Sequence, residues 1–181
     1  MPHILMIATG GTIACCETAH GLSPALDSAA LLGALPELSA LCTVETLDLM
    51  QLDSTDVTAA DRQRMAQAVW QNREKFDGFV LTHGTDTLEE TAYLLDLVHN
   101  SEKPVCLTGA MRSAAEISPD GPVNLLCAVR TAASSEARGK GVLVVMNEEI
   151  HAAREVVKSH SANTETFVSP FWGPLGYVDP D

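Results

Sequence analysis

Short apolar runs alternate along the chain with longer stretches of helix-favouring composition. Five such runs are present, and they cover residues 3–8, 43–50, 79–82, 104–108 and 141–146. A short apolar run bounded by turn residues is typical of a strand that is buried on both faces of a parallel sheet. Helical stretches between such strands are typical of βαβ units. The pattern therefore predicts an α/β fold with one doubly wound, mainly parallel sheet and helices on both of its faces.

The clearest helical stretch covers residues 58–76. It opens with Thr58 and Asp61, whose spacing resembles a capping box. Its apolar stripe runs through Met65, Val69 and Trp70 at helical intervals. We expect a helix that covers one face of the sheet.

Two further helices are expected nearer the end of the chain. Residues 87–99 carry apolar side chains at helical spacing and two glutamates in the first turn, where negative charge complements the helix dipole. Gly121-Pro122 places a proline where a helix can begin. Residues 159–181 have no strong period, so irregular structure or edge strands are expected there and not another βαβ unit.

Composition and charge narrow the functional classes. Lys and Arg total 11 whereas Asp and Glu total 24, so the formal net charge is −13. This charge repels nucleic-acid phosphates and anionic membrane surfaces, and neither is expected as a partner. No apolar stretch reaches the roughly 18 residues of a membrane span, and no basic, apolar leader precedes the first strand, so a cytoplasmic location is expected. The length favours one domain over residues 1–181.

The cysteines and histidines indicate neither a disulfide framework nor a metal site. The five cysteines include no C-x-x-C pair, and the six histidines include no H-E-x-x-H pair. Cys106 and Cys127 lie in apolar surroundings and are expected to be reduced core residues. No metal or other cofactor is expected.

Polar clusters rich in threonine and glycine follow the predicted strands, and two of them are the most specific motifs of the chain. Thr9-Gly10-Gly11-Thr12 follows the first strand, and Thr82-His83-Gly84-Thr85-Asp86-Thr87 follows the third. In open α/β sheets the ligand crevice lies outside the carboxyl ends of the strands. Glycine lets backbone N–H groups approach a ligand, and a threonine hydroxyl is a nucleophile once a base or cation activates it. The two motifs together point to an enzyme.

Each of these residues also has a plain structural interpretation. Thr12 and Thr85 are residue types that cap turns and helices. Asp86 opens an acidic first turn, where it could serve only as a partner of the helix dipole. Lys158, taken without its surroundings, is most simply a solvated side chain. The residue pattern by itself leaves both interpretations open.

The wider sequence around these motifs resembles the bacterial-type L-asparaginases. The resemblance covers about residues 4–178 and is carried by the segments ATGGTIA (8–14), FVLTHGTDTLEETAYLLDL (79–97), LTGAMR (107–112), DGPVNLLCAV (120–129), GVLVVMNEEIHAAREVVK (141–158) and GPLGYV (173–178). It spans only the N-terminal domain of that family, whose members continue with a linker and a second, smaller domain. We therefore expect a short-chain asparaginase or an excised catalytic domain.

The resemblance implies a role for each matched site residue. Thr12 is implied as the nucleophile, and Thr85, Asp86 and Lys158 as a second catalytic group that orients and shuttles a proton. Ser54 is implied to hold the substrate α-carboxylate, Asp86 its α-ammonium, and Ala110 its leaving amide through the main chain. The substrate-binding set implied in this way is Gly11, Ser54, Thr55, Gly84, Asp86 and Ala110.

Three departures from the family pattern bear on these roles. The segment Gly21–Pro24 contains no tyrosine, whereas the family usually supplies one there to contact the nucleophile. Thr55 follows Ser54 where many relatives have glutamine. A second-domain glutamate from a neighbouring subunit, which helps to hold the α-ammonium, has no counterpart in these 181 residues.

The implied function is an L-asparagine amidohydrolase that releases ammonia and aspartate through a threonyl acyl-enzyme and has a weaker activity on L-glutamine. The resemblance also implies a homo-oligomer. Two alternatives stay open: a related amidase or amidotransferase component, and an amino-acid-binding module that lacks its second domain.

Overall fold

In the computed structural model, the described residues are 1–18, 21–24 and 26–179, and the side chains of residues 17–25 lie outside the description. The strands, in chain order, are β1 (His3–Gly10), β2 (Cys15–Thr18), β3 (Gly21–Pro24), β4 (Thr43–Leu52), β5 (Gly78–Thr82), β6 (Val105–Thr108), β7 (Val142–Met146), β8 (Glu149–Ala152), β9 (Val157–Lys158), β10 (Phe167–Val168) and β11 (Gly176–Tyr177). The α-helices are α1 (Ser28–Gly33), α2 (Ala59–Asn72), α3 (Leu88–Val98) and α4 (Gly121–Ala133).

Seven strands form the central sheet, in the order β11-β8-β7-β6-β5-β1-β4. The five neighbours from β4 to β7 pair in parallel, whereas β8 and β11 pair antiparallel at one edge. Each of the five predicted apolar runs forms one of the parallel strands. The predicted mainly parallel α/β sheet is confirmed.

Two apolar cores lie on opposite faces of this sheet. Successive strand side chains point to opposite faces, so the single strand β1 contributes to both cores. Leu5 and Ile7 pack with residues of α2 and α3, whereas Ile4 and Met6 pack with residues of α1 and α4. Helices therefore cover both faces, as a doubly wound sheet requires.

The helices begin where the sequence predicts and end earlier in one case. Helix α2 has the predicted capping box, with the Thr58 hydroxyl and the Asp61 carboxylate each bonded to the other residue's backbone amide, but it ends at Asn72 and not at residue 76. Met65 and Val69 are buried as expected. Trp70 is half exposed and stacks under the Arg73 guanidinium, so the prediction that it belongs to the buried stripe is wrong.

Several elements of the fold have no counterpart in the expected pattern, among them the hairpin β2–β3, the short helix α1 and the strands β8 and β9. Asn147 and Glu148 adopt positive φ angles of 51° and 66°, which turn the chain back beside β7. Strand β8 therefore runs antiparallel to β7. Within residues 159–179, Phe167–Val168 pairs with β9 and Gly176–Tyr177 forms the sheet edge, which agrees with the expected edge strands.

Two cysteines confirm the expectation of reduced core residues. Cys106 and Cys127 are buried in the core, and all five cysteines are free thiols. Burial raises the pKa of the Cys127 thiol to about 11, which keeps it protonated near neutral pH. Among the described residues, no helix is both long and apolar enough to span a membrane.

Candidate active site

The two threonine motifs meet through their glycines. Gly11 has a φ of 80°, which is rarely accessible to a residue with a Cβ, and its amide donates to the carbonyl of Leu52 at 3.0 Å. A Cβ added at Gly11 would lie 2.3 Å from the backbone nitrogen of Gly84. Only glycine permits this approach, so the loop after β1 rests directly on the loop after β5.

Two other strand ends join the same contact. A Cβ added at Gly84 would lie 2.7 Å from the side chain of Ser54, which follows β4. A Cβ added at Gly109, which follows β6, would lie 2.5 Å from the carbonyl oxygen of His83. The loops after β1, β4, β5 and β6 are therefore packed backbone to backbone. This places the sequence-predicted residues Gly11, Ser54 and Gly84 in one cluster.

Lys158 reaches this cluster from the other end of the sequence. Its strand β9 pairs with β10, and its backbone amide donates to the carboxylate of Glu89 at the start of α3. Its ammonium donates to Thr85 Oγ1 at 2.9 Å and to Asp86 Oδ1 at 2.5 Å. The side chain is 13% exposed. Lys158 is thus a largely buried bridge between Thr85 and Asp86 and not a solvated side chain.

Asp86 and Thr85 differ in their access to solvent. Thr85 is buried, whereas the Asp86 carboxylate is 60% exposed although it is paired with Lys158. The backbone amide of Asp86 donates to Ser54 Oγ at 3.2 Å. The carboxylate therefore faces outward from a fixed backbone, where a cationic ligand group could reach it.

In the loop after β4, Ser54 lies in the cluster and Thr55 is exposed. Ser54 is buried, and its carbonyl accepts a hydrogen bond from the Thr87 hydroxyl at 2.8 Å. Thr55 is exposed, and both its amide and its hydroxyl donate to Asp53. The Thr55 hydroxyl is thus engaged within its own turn, whereas Ser54 is fixed at the second motif.

Thr12 lies at the start of a single 3₁₀ turn, Thr12–Ala14, and is half-buried. The turn is closed by the amide of Ala14, which donates to the carbonyl of Gly11 at 3.0 Å. The neighbouring Cys15 thiol contacts the same carbonyl, and burial, followed by the negative charge of Asp53, raises its pKa. The Gly21–Pro24 side chains, where a tyrosine is usual in the family, lie outside the described residues.

The loop that carries Ala110 is held by two residues to which sequence reasoning assigned no role. The Asp120 carboxylate accepts hydrogen bonds from the amides of Met111 and Arg112. Asn124 is buried in α4, and its side chain donates to the Gly109 carbonyl at 3.1 Å and accepts from the Asn147 amide at 2.9 Å. A buried asparagine on an apolar helix face was the signal that could have identified this anchor.

The cluster combines three chemical capacities: hydroxyl groups, an ammonium group and closely packed backbone amides. An ammonium held between a hydroxyl and a carboxylate can orient and relay a proton. Backbone amides of glycine-rich turns can donate to a developing oxyanion. Within the described residues, no group of three or more His, Cys, Asp or Glu side chains is arranged to hold a metal ion.

Comparison with known proteins gives a consistent result over the whole chain. Residues 3–181 match the family model described as "Asparaginase, N-terminal". The "Probable L-asparaginase periplasmic" of Haemophilus influenzae is 43% identical over 98% of this chain and 52% of its own length. The "Glutaminase-asparaginase" of Pseudomonas fluorescens is 42% identical over 98% of this chain and 51% of its own length.

A solved structure supports the same relationship. The "Probable Cytoplasmic L-asparaginase from Campylobacter jejuni" matches with a TM-score of 0.92 and 42% identity, over all of this chain and 56% of that one. The chain therefore spans about half the length of the relatives it matches. By its sequence and its fold, the chain belongs to the asparaginase family and corresponds to that family's N-terminal domain.

Proposed function

We propose that this chain carries the nucleophile and the proton relay of an L-asparagine amidohydrolase, which converts L-asparagine and water to L-aspartate and ammonia. The observation that carries the proposal is the Lys158 ammonium, which bridges Thr85 and Asp86. Family membership and the names of the relatives support the same substrate class.

In the proposed mechanism, the Thr12 hydroxyl attacks the carboxamide carbon of the substrate. The Thr85 hydroxyl, held by Lys158, accepts the proton and passes it to the leaving nitrogen. The C–N bond breaks, ammonia leaves, and the aspartyl group stays esterified to Thr12. Water then attacks this ester by the same route and regenerates the hydroxyl.

The rest of the proposed site binds the two ends of the amino acid. Ser54 donates to the α-carboxylate, and the exposed side of the Asp86 carboxylate receives the α-ammonium. The backbone of Gly11, Gly84 and Ala110 lines the reacting amide. We propose that Thr55 lines the substrate site without binding the substrate through its hydroxyl, because that hydroxyl is bonded to Asp53.

The direct test measures ammonia release from L-asparagine and L-glutamine by wild-type protein and by Thr12→Ala. Thr12→Ala should lower kcat by more than about 10²-fold, because a nucleophile and its relay act as a unit. Thr43→Ala is the matched control, since Thr43 is exposed at the opposite end of β4. A Thr12→Ala variant that keeps over about a tenth of the turnover would refute the nucleophile assignment.

Wild-type protein that binds L-asparagine without releasing ammonia would favour the alternative of an amino-acid-binding module. L-Glutamine is included because several relatives are named glutaminase-asparaginase. We propose that it is the poorer substrate.

We further propose that residues 1–181 fold as one unit, that the protein self-associates, and that it acts in the cytoplasm. One cooperative calorimetric transition, a concentration-dependent sedimentation coefficient and recovery in the cytoplasmic fraction are the expected results. One relative is named periplasmic and another cytoplasmic, so each location has a precedent in the family, and cell fractionation decides between the two. Nucleic acid is not a proposed partner, because the net charge is −13.

A further inference from the structure

His83 is a fully buried histidine in the middle of the second motif, and the proposed chemistry gives it no direct task. It follows β5, and its backbone amide donates to the Thr108 carbonyl at 2.8 Å. Its carbonyl oxygen lies against Gly109, where an added Cβ would be 2.5 Å away. The backbone of His83 is thus fixed from the β6 side, and its ring points into the protein with no exposed surface.

Both ring nitrogens of His83 are engaged, and their partners define which one carries the proton. Nδ1 lies 2.7 Å from the carbonyl oxygen of Gly84, which can only accept, so Nδ1 must carry the hydrogen. Nε2 lies 3.0 Å from the Thr91 hydroxyl. The Arg62 guanidinium donates to that hydroxyl oxygen at 3.1 Å, so the hydroxyl hydrogen is directed to Nε2.

These hydrogen bonds form a chain in which each group donates to the next one. It runs from the Arg62 guanidinium through Thr91 and His83 to the Gly84 carbonyl. Arg62 is itself held by Glu90 at 2.6 Å on the surface of the neighbouring helix. Burial lowers the pKa of His83, which favours the neutral ring that this chain requires.

The Gly84 carbonyl belongs to the same peptide plane as the Thr85 amide. Because a trans peptide is planar, its C=O and N–H point in opposite directions, and fixing one fixes the other. In the described part of the chain, the Thr85 amide donates no hydrogen bond to another backbone group. Gly84 has no side chain to restrict its dihedral angles, so the hydrogen bond from His83 adds a directional restraint on this plane to the packing of Gly84 against Gly11 and Ser54.

We propose that His83 is a positioning residue that aims the Thr85 amide into the reaction site, and that Arg62 and Thr91 hold His83 in the required tautomer. The inference rests on the proposed function and extends it: the Thr85 amide is taken to donate to the oxyanion that develops when Thr12 attacks the substrate. His83 is not a general base in this arrangement, because its nitrogens are occupied and its ring has no access to substrate.

Three substitutions of His83 separate positioning from packing. His83→Asn places an amide nitrogen at the Nδ1 position and keeps a donor for the Gly84 carbonyl. His83→Gln places its amide near the Nε2 position, so it keeps a partner for Thr91 and loses the donor to Gly84. His83→Leu keeps apolar volume and loses both bonds. Thr91→Val removes the hydroxyl with almost no change in shape.

We expect kcat for L-asparagine to fall by about 10²-fold in His83→Gln and His83→Leu, with KM changed by less than about threefold, because a misdirected oxyanion donor weakens transition-state binding only. His83→Asn should keep kcat within about tenfold of wild type. Thr91→Val should fall between the two groups. Equal losses in Asn and Gln, or losses confined to KM, would overturn the positioning role and leave a packing role.

A second measurement keeps the proposal testable if the variants fold poorly. In wild-type protein with ¹⁵N-labelled histidine, two-bond ¹H–¹⁵N spectra at neutral pH should show His83 neutral and protonated on Nδ1. A proton on Nε2, or an imidazolium, would overturn the proposal. This reading does not depend on turnover, so it is distinguishable from failure of the proposed function, which would appear as absence of ammonia release by the wild-type protein.

Discussion

The centre of the sheet and its antiparallel edge are built in different ways. At the centre, the loops after β1, β4, β5 and β6 touch through backbone atoms, and glycine is required at Gly11 and Gly84. At the edge the strands are short, and the turn between β10 and β11 carries large side chains that face water. Phe171 is 86% exposed and Trp172 is 81% exposed. A surface cavity of about 480 Å³ lies between α4 and β11.

The polar groups of the centre and of the edge also differ in how they are hydrogen-bonded. At the centre, Lys158 bonds both Thr85 and Asp86. At the edge, the buried His151 bonds Ser169 through Nδ1 at 3.0 Å, but its Nε2 lies 3.2 Å from Glu149 without forming a hydrogen bond. The centre therefore joins its charged groups by hydrogen bonds on a fixed backbone. Each region also holds one buried side-chain atom that has no hydrogen-bond partner among the residues described, Thr82 Oγ1 at the centre and His151 Nε2 at the edge. A reaction that needs fixed distances between its functional groups is therefore expected at the centre of the sheet.

Removing the charge of Lys158, at the centre of the sheet, should have the largest effect, and this effect is on kcat. Lys158→Met keeps most of the side-chain length and removes the ammonium that joins Thr85 to Asp86. We expect kcat for ammonia release to fall by about 10²–10⁴-fold, the range typical of a lost proton-transfer group. Steady-state kinetics with L-asparagine measures the change.

The matched control is Lys140→Met, because Lys140 is exposed near the antiparallel edge. It should keep wild-type kcat. If Lys158→Met and Lys140→Met behaved alike, the bridge at the centre would have no catalytic part.

A methyl group at Gly11 tests whether the centre depends on direct backbone contact. Gly11→Ala would place Cβ 2.3 Å from the Gly84 nitrogen at a positive φ. Steric overlap and backbone strain together should lower the free energy of unfolding by about 4 kcal/mol. Urea denaturation measures the loss. Gly33→Ala is the control, since nothing lies within 4 Å of a Cβ built there, and a loss of similar size in that variant would contradict the argument.

The same contrast explains what the sequence predicts and what it leaves out. The five parallel strands are evident because a strand buried on both faces needs an unbroken apolar run. Strand β8 is not evident, since Glu149 and His151 interrupt its apolar pattern. Its direction depends on the positive φ angles of Asn147 and Glu148, which no periodicity reveals.

The site shows the same division between local pattern and tertiary contact. The threonine and glycine motifs mark Thr12 and Thr85 as candidates because each motif follows a predicted strand. Lys158 is 72 residues from Asp86, so only the family resemblance indicates that the two meet. Asp120 and Asn124 hold the Ala110 loop through contacts that exist only after α4 has packed on the sheet, and residue pattern alone does not reveal them.

At the edge, His151 should make the free energy of unfolding depend on pH. Burial lowers the pKa of this histidine to about 4 from the ordinary value of 6.5, so between these values the unfolded chain binds the extra proton. The stabilisation is complete above about pH 6.5 and is lost as the pH falls toward about 4. The loss should be on the order of 3 kcal/mol. Denaturant unfolding at several pH values measures it.

The comparison variant is His151→Asn, which keeps a polar partner for Ser169 and cannot titrate. Burial, and then the charge of Glu165, raises the pKa of Glu149, which acts in the opposite direction. Glu149 is retained in the variant, so the difference between the two pH curves isolates His151. A wild-type curve that matches the curve of His151→Asn would refute the assignment.

The smallest effect is expected at the exposed aromatic residues of the edge. Trp172→Ser removes a large ring that is mostly in water, so the free energy of unfolding should change by less than about 0.5 kcal/mol. Phe167→Ala, five residues earlier and buried, should lose about 3–5 kcal/mol. Both values come from denaturant unfolding, repeated over a range of protein concentrations. A Trp172→Ser loss above about 1.5 kcal/mol that disappears on dilution would show that a second copy of the chain covers this edge, and the contrast with the centre would then hold only for the monomer.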